Sequence, residues 1–155
     1  APRGQRAYGR VPCNRGKNTT LLASMTLEGG MGPAMAVEGG TDRFVFEAYV
    51  ERFLAPALSE GLIVVVDNLG AHKTERVREL IEARGAELWF LPSYSPDLNP
   101  IEEAFSKVKA LLKKAAARTK EALIEAISEA LGAVTPEDAR GWFVHSGYEP
   151  RDLSL

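Results

Sequence analysis

The first 40 residues follow the pattern of a β-hairpin preceded by an irregular basic segment. Residues 18–28 and 33–38 have the composition of short strands, and each is followed by a pair of glycines. That combination predicts an antiparallel hairpin. Residues 1–18 are rich in Arg, Gly and Pro, which predicts a basic extended segment with one edge strand over residues 5–11.

After residue 40, helical periodicity alternates with short apolar runs. Helices are predicted over residues 41–59 (with Thr41 as N-cap), 74–84, 101–116, 119–131 and 135–147, and strands over residues 62–67 and 87–91. Pro56 interrupts the first helical pattern and predicts a break or kink there. The first apolar run is rich in Val and Ile without polar alternation, which is typical of a strand buried on both faces of a parallel sheet. The sequence therefore predicts one α/β domain.

Composition excludes several classes of protein. The chain has 155 residues with 45% apolar content, enough for one domain with a sizeable core. No apolar run approaches the roughly 20 residues that a membrane-spanning helix needs. The N-terminal segment lacks the apolar core of a signal peptide. Cys13 is the single cysteine, which argues against a disulfide framework. We therefore predict a cytoplasmic protein without a membrane partner.

Charge is segregated along the chain although the net charge is only −2. Residues 1–27 contain five basic residues and no acidic one, and residues 104–120 contain six basic residues and no acidic one. Clusters of this kind can bind phosphate locally. Ordinary solvated surface charge is the alternative interpretation.

Two carboxylates are each placed at the end of a strand–helix unit. Asp67 follows the first apolar run directly, Glu102 begins a helix, and 34 residues lie between them. If both strands belong to one parallel sheet, both acids lie at its carboxyl edge. Close carboxylates repel unless a cation lies between them, and Mg²⁺ prefers such oxygen ligands. The spacing alone leaves the simpler alternative open, since a Glu in the first turn also interacts favourably with the helix dipole.

The residues around the two acids carry a more specific signal. Asp67 is followed by Asn68, His72 and Lys73, and Glu102 closes the string SPDLNPIE at residues 95–102. This pattern closely resembles the DDE transposases of the mariner superfamily, and most of all their bacterial insertion-sequence branch. The resemblance continues through residues 140–148 and includes residues 1–5, so it covers nearly the whole chain.

The resemblance implies a ribonuclease-H-like fold, in which an antiparallel hairpin is followed by parallel strand–helix units and C-terminal helices. It implies Mg²⁺ or Mn²⁺ as cofactor, with two ions in the complete site. The implied reactions are hydrolytic nicking at transposon ends and strand transfer into target DNA. The implied partners are both of these DNAs and further copies of the protein, in a homodimer or higher oligomer. The implied location is the bacterial cytoplasm, in association with the nucleoid.

Residue by residue, Asp67 matches the second catalytic and metal-binding acid of the family and Glu102 the third. Glu103 is the competing candidate, but successive helical residues point about 100° apart, so only one of the two faces the site. Glu102 is preferred because it follows the Asn-Pro-Ile of the motif directly.

Supporting roles are expected for several neighbours. Asn68 would hydrogen-bond a metal-bound water or orient Asp67. His72 would contact DNA phosphate or, alternatively, cap or pack at the start of a helix. Asn99 is expected to build the turn before Glu102, because Asn side chains hydrogen-bond nearby backbone groups. Lys73, Lys109 and Lys113 are expected to bind the DNA backbone. Lys109 and Lys113 lie on the same helical stripe as Glu102.

The first acid of the family motif has no counterpart, since residues 1–27 contain no Asp or Glu. We therefore expect residues 1–155 to form a single catalytic domain without the first central strand and without the family's helix-turn-helix domain. The missing strand would leave two strand edges exposed. We expect no turnover from this chain alone. The alternative is a non-catalytic remnant that oligomerises through those edges or binds DNA weakly, and a monomer in size-exclusion chromatography with light scattering would argue against the former.

Overall fold

A five-stranded mixed sheet forms the centre of the molecule. The computed structural model describes the backbone of residues 5–15, 17–67, 73–92 and 98–148, and the side chains in those ranges from residue 19 onward. The strands are β1 (Gln5–Arg15), β2 (Lys17–Thr26), β3 (Gly30–Glu38), β4 (Ile63–Val66) and β5 (Glu87–Phe90). Their order across the sheet is β3-β2-β1-β4-β5. β2 is antiparallel to β1 and β3, whereas β4 is parallel to β1 and β5.

The helices agree closely with the periodicity of the sequence. They are α1 (Arg43–Tyr49), α2 (Glu75–Glu82), α3 (Ile101–Ala115), α4 (Lys120–Gly132) and α5 (Pro136–His145). A π-helical turn, Val50–Leu54, and a 3-10 turn, Ala55–Ala57, continue α1. The predicted interruption at Pro56 is confirmed. The N-cap of α1 is Asp42 rather than Thr41, because the Asp42 carboxylate accepts a hydrogen bond from the Val45 amide at 2.9 Å.

Two layers of helices cover the sheet. α1, its continuation and α2 pack on one face, and α3, α4 and α5 pack on the other. β2 contributes to both cores, since Leu21 and Ala23 belong to the α3 side and Leu22 to the α1 side. This is the alternation that a strand imposes on successive side chains. All four residues of β4 are buried, as predicted for a strand covered on both faces.

The central strand is the main departure from expectation. The sequence predicted an edge strand over residues 5–11 and an empty central position. The structure instead places β1 in the centre, antiparallel to β2 and paired in parallel with β4 at Gln5, Arg6 and Ala7. This arrangement pairs strand edges that would otherwise expose unpaired backbone groups. β1 carries no Asp or Glu, so it fills the central position without supplying a carboxylate.

Within the described ranges, none of the helices combines the length and the apolar character needed to cross a bilayer.

Candidate metal centre

Asp67 lies at the carboxyl end of β4, where the sheet fixes the backbone. The strand before it is fully buried, and Asp67 itself is half-buried. The Leu91 amide donates to the Val66 carbonyl at 2.8 Å, so pairing with the neighbouring segment continues up to the residue before Asp67. The backbone before Asp67 is thus held by strand pairing at the carboxyl end of the sheet.

Glu102 lies in the first turn of α3, beyond a turn built by Asn99. Asn99 is 2% exposed, and its side-chain oxygen accepts a hydrogen bond from the Ile101 amide at 3.4 Å. Its carbonyl accepts a second hydrogen bond from the Glu102 amide at 3.1 Å. These contacts give Asn99 the turn-building geometry that the sequence suggested, because its side chain mimics a backbone turn.

The two carboxylates interact electrostatically. The pKa of Glu102 is raised above its ordinary value, first by partial burial of its carboxyl group and then by the negative charge of Asp67. The cation of Lys109 opposes this rise. The structure therefore brings Asp67, Glu102 and Lys109 into one neighbourhood, although Glu102 as a whole residue is exposed.

The chemistry of this donor set fits a hard divalent cation. Carboxylate oxygens are the ligands that Mg²⁺ and Mn²⁺ prefer, and a cation between two carboxylates removes their repulsion. Across the described ranges, no cluster of three or more His, Cys, Asp or Glu side chains is arranged to hold a metal. Among the described residues, the candidate site therefore has two carboxylates, Asp67 and Glu102.

Glu103, the competing candidate, has a different neighbour. Its Oε1 atom lies 3.8 Å from the Nε2 atom of His145, near the end of α5. Two successive acids of α3 thus have different surroundings, as the helical rotation between neighbours requires. The geometry favours Glu102 over Glu103 as the partner of Asp67.

The predicted DNA-contacting lysines are all exposed, at different places. Lys109 influences Glu102 directly, and Lys113 lies in the last turn of the same helix.

The Lys73 ammonium lies 5.7 Å from the ring centre of Phe90, at the end of β5. Arg78 approaches the same ring at 5.9 Å, a contact that no local sequence pattern indicates. Asn68 and His72 lie outside the described residues.

Lys107 has a structural role within the same basic segment. Its ammonium donates to the Asp138 carboxylate at 2.6 Å and to the Ala133 carbonyl at 2.9 Å, tying α3 to the turn before α5. The hydrogen bond from Lys107, together with one from the Thr135 amide, lowers the pKa of Asp138. Lys107 is therefore held within the fold, unlike Lys109 in the same basic segment, which acts on Glu102.

Known proteins match the chain in both sequence and fold. Residues 1–124 match a family described as "DDE superfamily endonuclease". This match covers most of the chain, and the chain belongs to this family.

Among characterised relatives, the Tcb1 transposase of Caenorhabditis briggsae is 29% identical over 119 residues, which are 72% of this chain and 44% of the relative. The Tc1 transposase of Caenorhabditis elegans is 28% identical over 115 residues, which are 70% of this chain and 42% of the relative. The chain thus spans less than half the length of these relatives. They confirm the predicted resemblance to mariner-superfamily transposases, while the bacterial branch stays a prediction.

Solved structures confirm the predicted ribonuclease-H-like fold. The Mos1 transposase catalytic domain with Raltegravir and Mg has a TM-score of 0.74 at 18% identity, covering 91% of this chain and 77% of that one. A Mos1 paired-end complex with the left transposon end also has a TM-score of 0.74, at 16% identity, covering 94% of this chain and 56% of that one.

The pKa of Glu102 offers a direct test of the carboxylate pair. Asp67→Asn is expected to lower this pKa, because it removes a negative charge that disfavours ionisation, whereas Lys109→Gln is expected to raise it. Because the pKa of Glu102 is raised in the folded chain, this group stabilises the fold at pH values below its ordinary pKa of about 4.5. That stabilisation is lost as the pH rises through the folded-state pKa. Carbon-13 NMR titration of the glutamate carboxyls measures both shifts. An unchanged Glu102 pKa in Asp67→Asn would show that the two groups do not interact.

Proposed function

We propose that this chain is the catalytic domain of a DNA transposase that hydrolyses phosphodiester bonds at transposon ends and joins them to target DNA. The observation that carries the proposal is the proximity of Asp67 to Glu102, shown by the negative charge of Asp67 raising the pKa of Glu102. Membership of the DDE endonuclease family and the similarity to Tc1-type transposases support the same chemistry.

We propose that Asp67 and Glu102 hold Mg²⁺ or Mn²⁺, with two ions in the complete site. Mos1 structures are described with Mg in one case and with Mn in another. When bound at such carboxylates, a pair of ions supplies activation of the attacking oxygen and stabilisation of the leaving oxygen. Strand pairing up to Val66 holds the backbone before Asp67, and the Asn99 turn holds the backbone amide of Glu102, which supports a metal site at these two residues.

A third carboxylate has to join this pair before turnover. β1 occupies the central position of the sheet without an Asp or Glu. We therefore propose that the 155-residue chain binds divalent metal but does not cleave DNA by itself. Robust metal-dependent nicking by this chain would show that another carboxylate completes the site.

The DNA backbone is the proposed partner of three exposed lysines, of which Lys109 lies near the carboxylate pair. Lys73, Lys109 and Lys113 would contact phosphate and hold the DNA without reading its sequence. With DNA as partner, the proposed location is the nucleoid in the bacterial cytoplasm. A homodimer or higher oligomer is the proposed assembly, in which two copies would hold two DNA ends.

Salt dependence distinguishes these lysines from a structural one. Lys109→Gln and Lys113→Gln are each expected to weaken duplex DNA binding and to reduce the slope of log K against log salt concentration by about 0.9, because each removes one phosphate contact. The matched control is Lys107→Gln, since the Lys107 ammonium is already held by Asp138 at 2.6 Å. Fluorescence anisotropy at several salt concentrations measures the slopes. A Lys107→Gln slope reduced as much as the other two would contradict the assignment.

The test of the proposed function is whether the chain binds Mn²⁺ in a way that requires both carboxylates. Electron paramagnetic resonance of free Mn²⁺ measures the bound fraction, and competition by Mg²⁺ establishes that both ions use one site. A wild-type chain that binds neither ion, or that binds them equally well after both carboxylates are removed, would contradict the proposal.

A non-catalytic remnant is the second candidate, favoured by the absence of a carboxylate from β1. This candidate was expected to oligomerise through strand edges left exposed by a missing central strand. The edges of β2 and β4 are instead paired with β1, so this reason for oligomerisation no longer applies. Weak DNA binding without carboxylate-dependent metal binding would identify this candidate.

A further inference from the structure

The end of α5 is closed by a hydrogen-bonding pattern that directs Tyr148 back toward the body of the domain. The Gly147 amide donates to the Val144 carbonyl at 3.0 Å, and the Tyr148 amide donates to the Phe143 carbonyl at 2.9 Å. Gly147 has φ +97°, in the left-handed region that glycine adopts readily. Together these contacts form a Schellman motif. Such motifs commonly include an apolar contact between two positions that are occupied here by Tyr148 and Phe143.

That apolar contact is present. The rings of Tyr148 and Phe143 lie edge to face, with centres 5.6 Å apart and planes at 72°. Phe143 is 1% exposed and belongs to the same core as Ile101 and Phe105 of α3. The ring of Tyr148 is thereby anchored beside the helix that carries Glu102.

The hydroxyl group of Tyr148 reaches the turn before that helix. It donates to the Leu98 carbonyl at 2.8 Å, across a sequence separation of 50 residues. Burial raises the pKa of Tyr148, so the hydroxyl keeps its proton and remains a donor at neutral pH. The contact is therefore available throughout the physiological pH range.

Leu98 stands immediately before the residues that set the position of Glu102. Asn99 holds the Ile101 and Glu102 amides from within the turn. The residue at the N-cap of α3 is Pro100, which has no polar side chain to cap the helix. The turn is thus held by hydrogen bonds to Asn99 within it and by the hydrogen bond from the distant Tyr148 hydroxyl to Leu98.

We infer that Tyr148 is a positioning residue for the metal centre, because it fixes the turn from which Glu102 is presented toward Asp67. This inference rests on the proposed function, since it assigns Glu102 to a divalent cation. A carboxylate that must meet a second carboxylate around one cation depends on a fixed backbone, and supporting contacts of this kind tune metal affinity.

The test compares Tyr148→Phe with Tyr49→Phe in the full 155-residue chain. Tyr49 is a matched control, because its hydroxyl also donates to a backbone carbonyl, that of Pro33, at 2.7 Å, in the core on the opposite face of the sheet. Each variant loses one hydroxyl–carbonyl hydrogen bond and keeps its ring, so both are expected to fold and to lose a comparable amount of thermal stability. A merely structural role would therefore make them alike.

Two readouts separate them. Tyr148→Phe is expected to weaken Mn²⁺ binding about 2- to 10-fold, the factor that corresponds to one net hydrogen bond, while Tyr49→Phe leaves it unchanged. Hydrogen exchange of the Ile101 and Glu102 amides is expected to accelerate only in Tyr148→Phe.

Equal exchange at these amides in the two variants would overturn the inference, whatever the metal data show. Equal Mn²⁺ affinity of the two variants, in a chain whose binding depends on Asp67, would overturn the link to the metal centre and leave the proposed function intact. Absence of any Asp67-dependent Mn²⁺ binding would instead overturn the proposed function and with it the metal role of Tyr148.

Discussion

Asp67→Asn is expected to weaken Mn²⁺ binding to this chain by at least about 10- to 100-fold. Changing residues that only support metal ligands already causes a loss of this size, and Asp67 is itself a proposed ligand. The substitution keeps the shape of the side chain and removes its charge. In the part of the chain that the structure describes, the candidate site has two carboxylates, so the loss of one anionic ligand removes half of the charge that offsets dehydration of the cation. The half-buried position of Asp67 at the rigid end of β4 limits replacement by other groups.

Glu102→Gln is expected to give a loss of the same order, and Glu103→Gln provides its matched control. Both substitutions remove one carboxylate from the first turn of α3, so they change the helix dipole interaction similarly. The Glu103 carboxylate lies 3.8 Å from His145, and Glu103→Gln removes only this weak, exposed ion pair. Its Mn²⁺ affinity should therefore stay within about 2-fold of wild type.

The measurement is a Mn²⁺ titration followed by electron paramagnetic resonance, repeated with competing Mg²⁺. A larger effect of Glu103→Gln than of Glu102→Gln would reverse the assignment of the third acid. Unchanged affinity in Asp67→Asn would remove Asp67 from the site. In an active protein that contains all three acids, metal-dependent nicking of DNA should be lost in Asp67→Asn and Glu102→Gln but not in Glu103→Gln.

Phe105→Ala is expected to destabilise the fold by about 3–5 kcal/mol, the usual effect of deleting a buried aromatic ring. Phe105 is 2% exposed and lies in the core between the sheet and the C-terminal helices, with Ile101, Val108 and Phe143 in the same cluster. Removal of the ring leaves a cavity one turn of α3 beyond Glu102. Urea denaturation followed by circular dichroism measures the change in the free energy of unfolding.

Phe44→Ala is the matched control for this prediction. Phe44 is 64% exposed, and its ring is stacked by Arg43, whose guanidinium carbon lies 4.7 Å from the ring centre. Its removal should change the free energy of unfolding by no more than about 1 kcal/mol, the range of an exposed cation–π contact. Similar losses in the two variants would contradict the burial that the structure assigns to Phe105.

The elements that carry the candidate site were predictable because they depend on local patterns. A Val- and Ile-rich run before Asp67 predicts β4, and helical periodicity after Pro100 predicts α3. The Thr caps of α4 and α5 also follow from the sequence, and the Thr119 and Thr135 hydroxyls accept amide hydrogen bonds at 3.0 Å. These features involve residues within about one helical turn of each other, which is the range over which residue order alone is informative.

Strand order was not predictable in the same way. The segment over residues 5–11 has little apolar alternation and was expected at an edge, whereas β1 lies at the centre of the sheet. Its position follows from the unpaired edges of β2 and β4, which are properties of the assembled sheet. The extent of β1, to Arg15, also exceeded the predicted strand for this reason.

Residue order was sufficient to predict the two strand–helix units, the position of Asp67 after one strand, and the family resemblance that selected Glu102. The roles of the surrounding residues depend instead on how the helices pack. Lys107 is bound to Asp138, 31 residues away, while Lys109 acts on Glu102, although both belong to one basic run. Tyr148 holds the turn before Glu102 from 50 residues away. Such contacts depend on which faces of α3 and α5 meet, and that geometry arises only when the helices pack on the sheet.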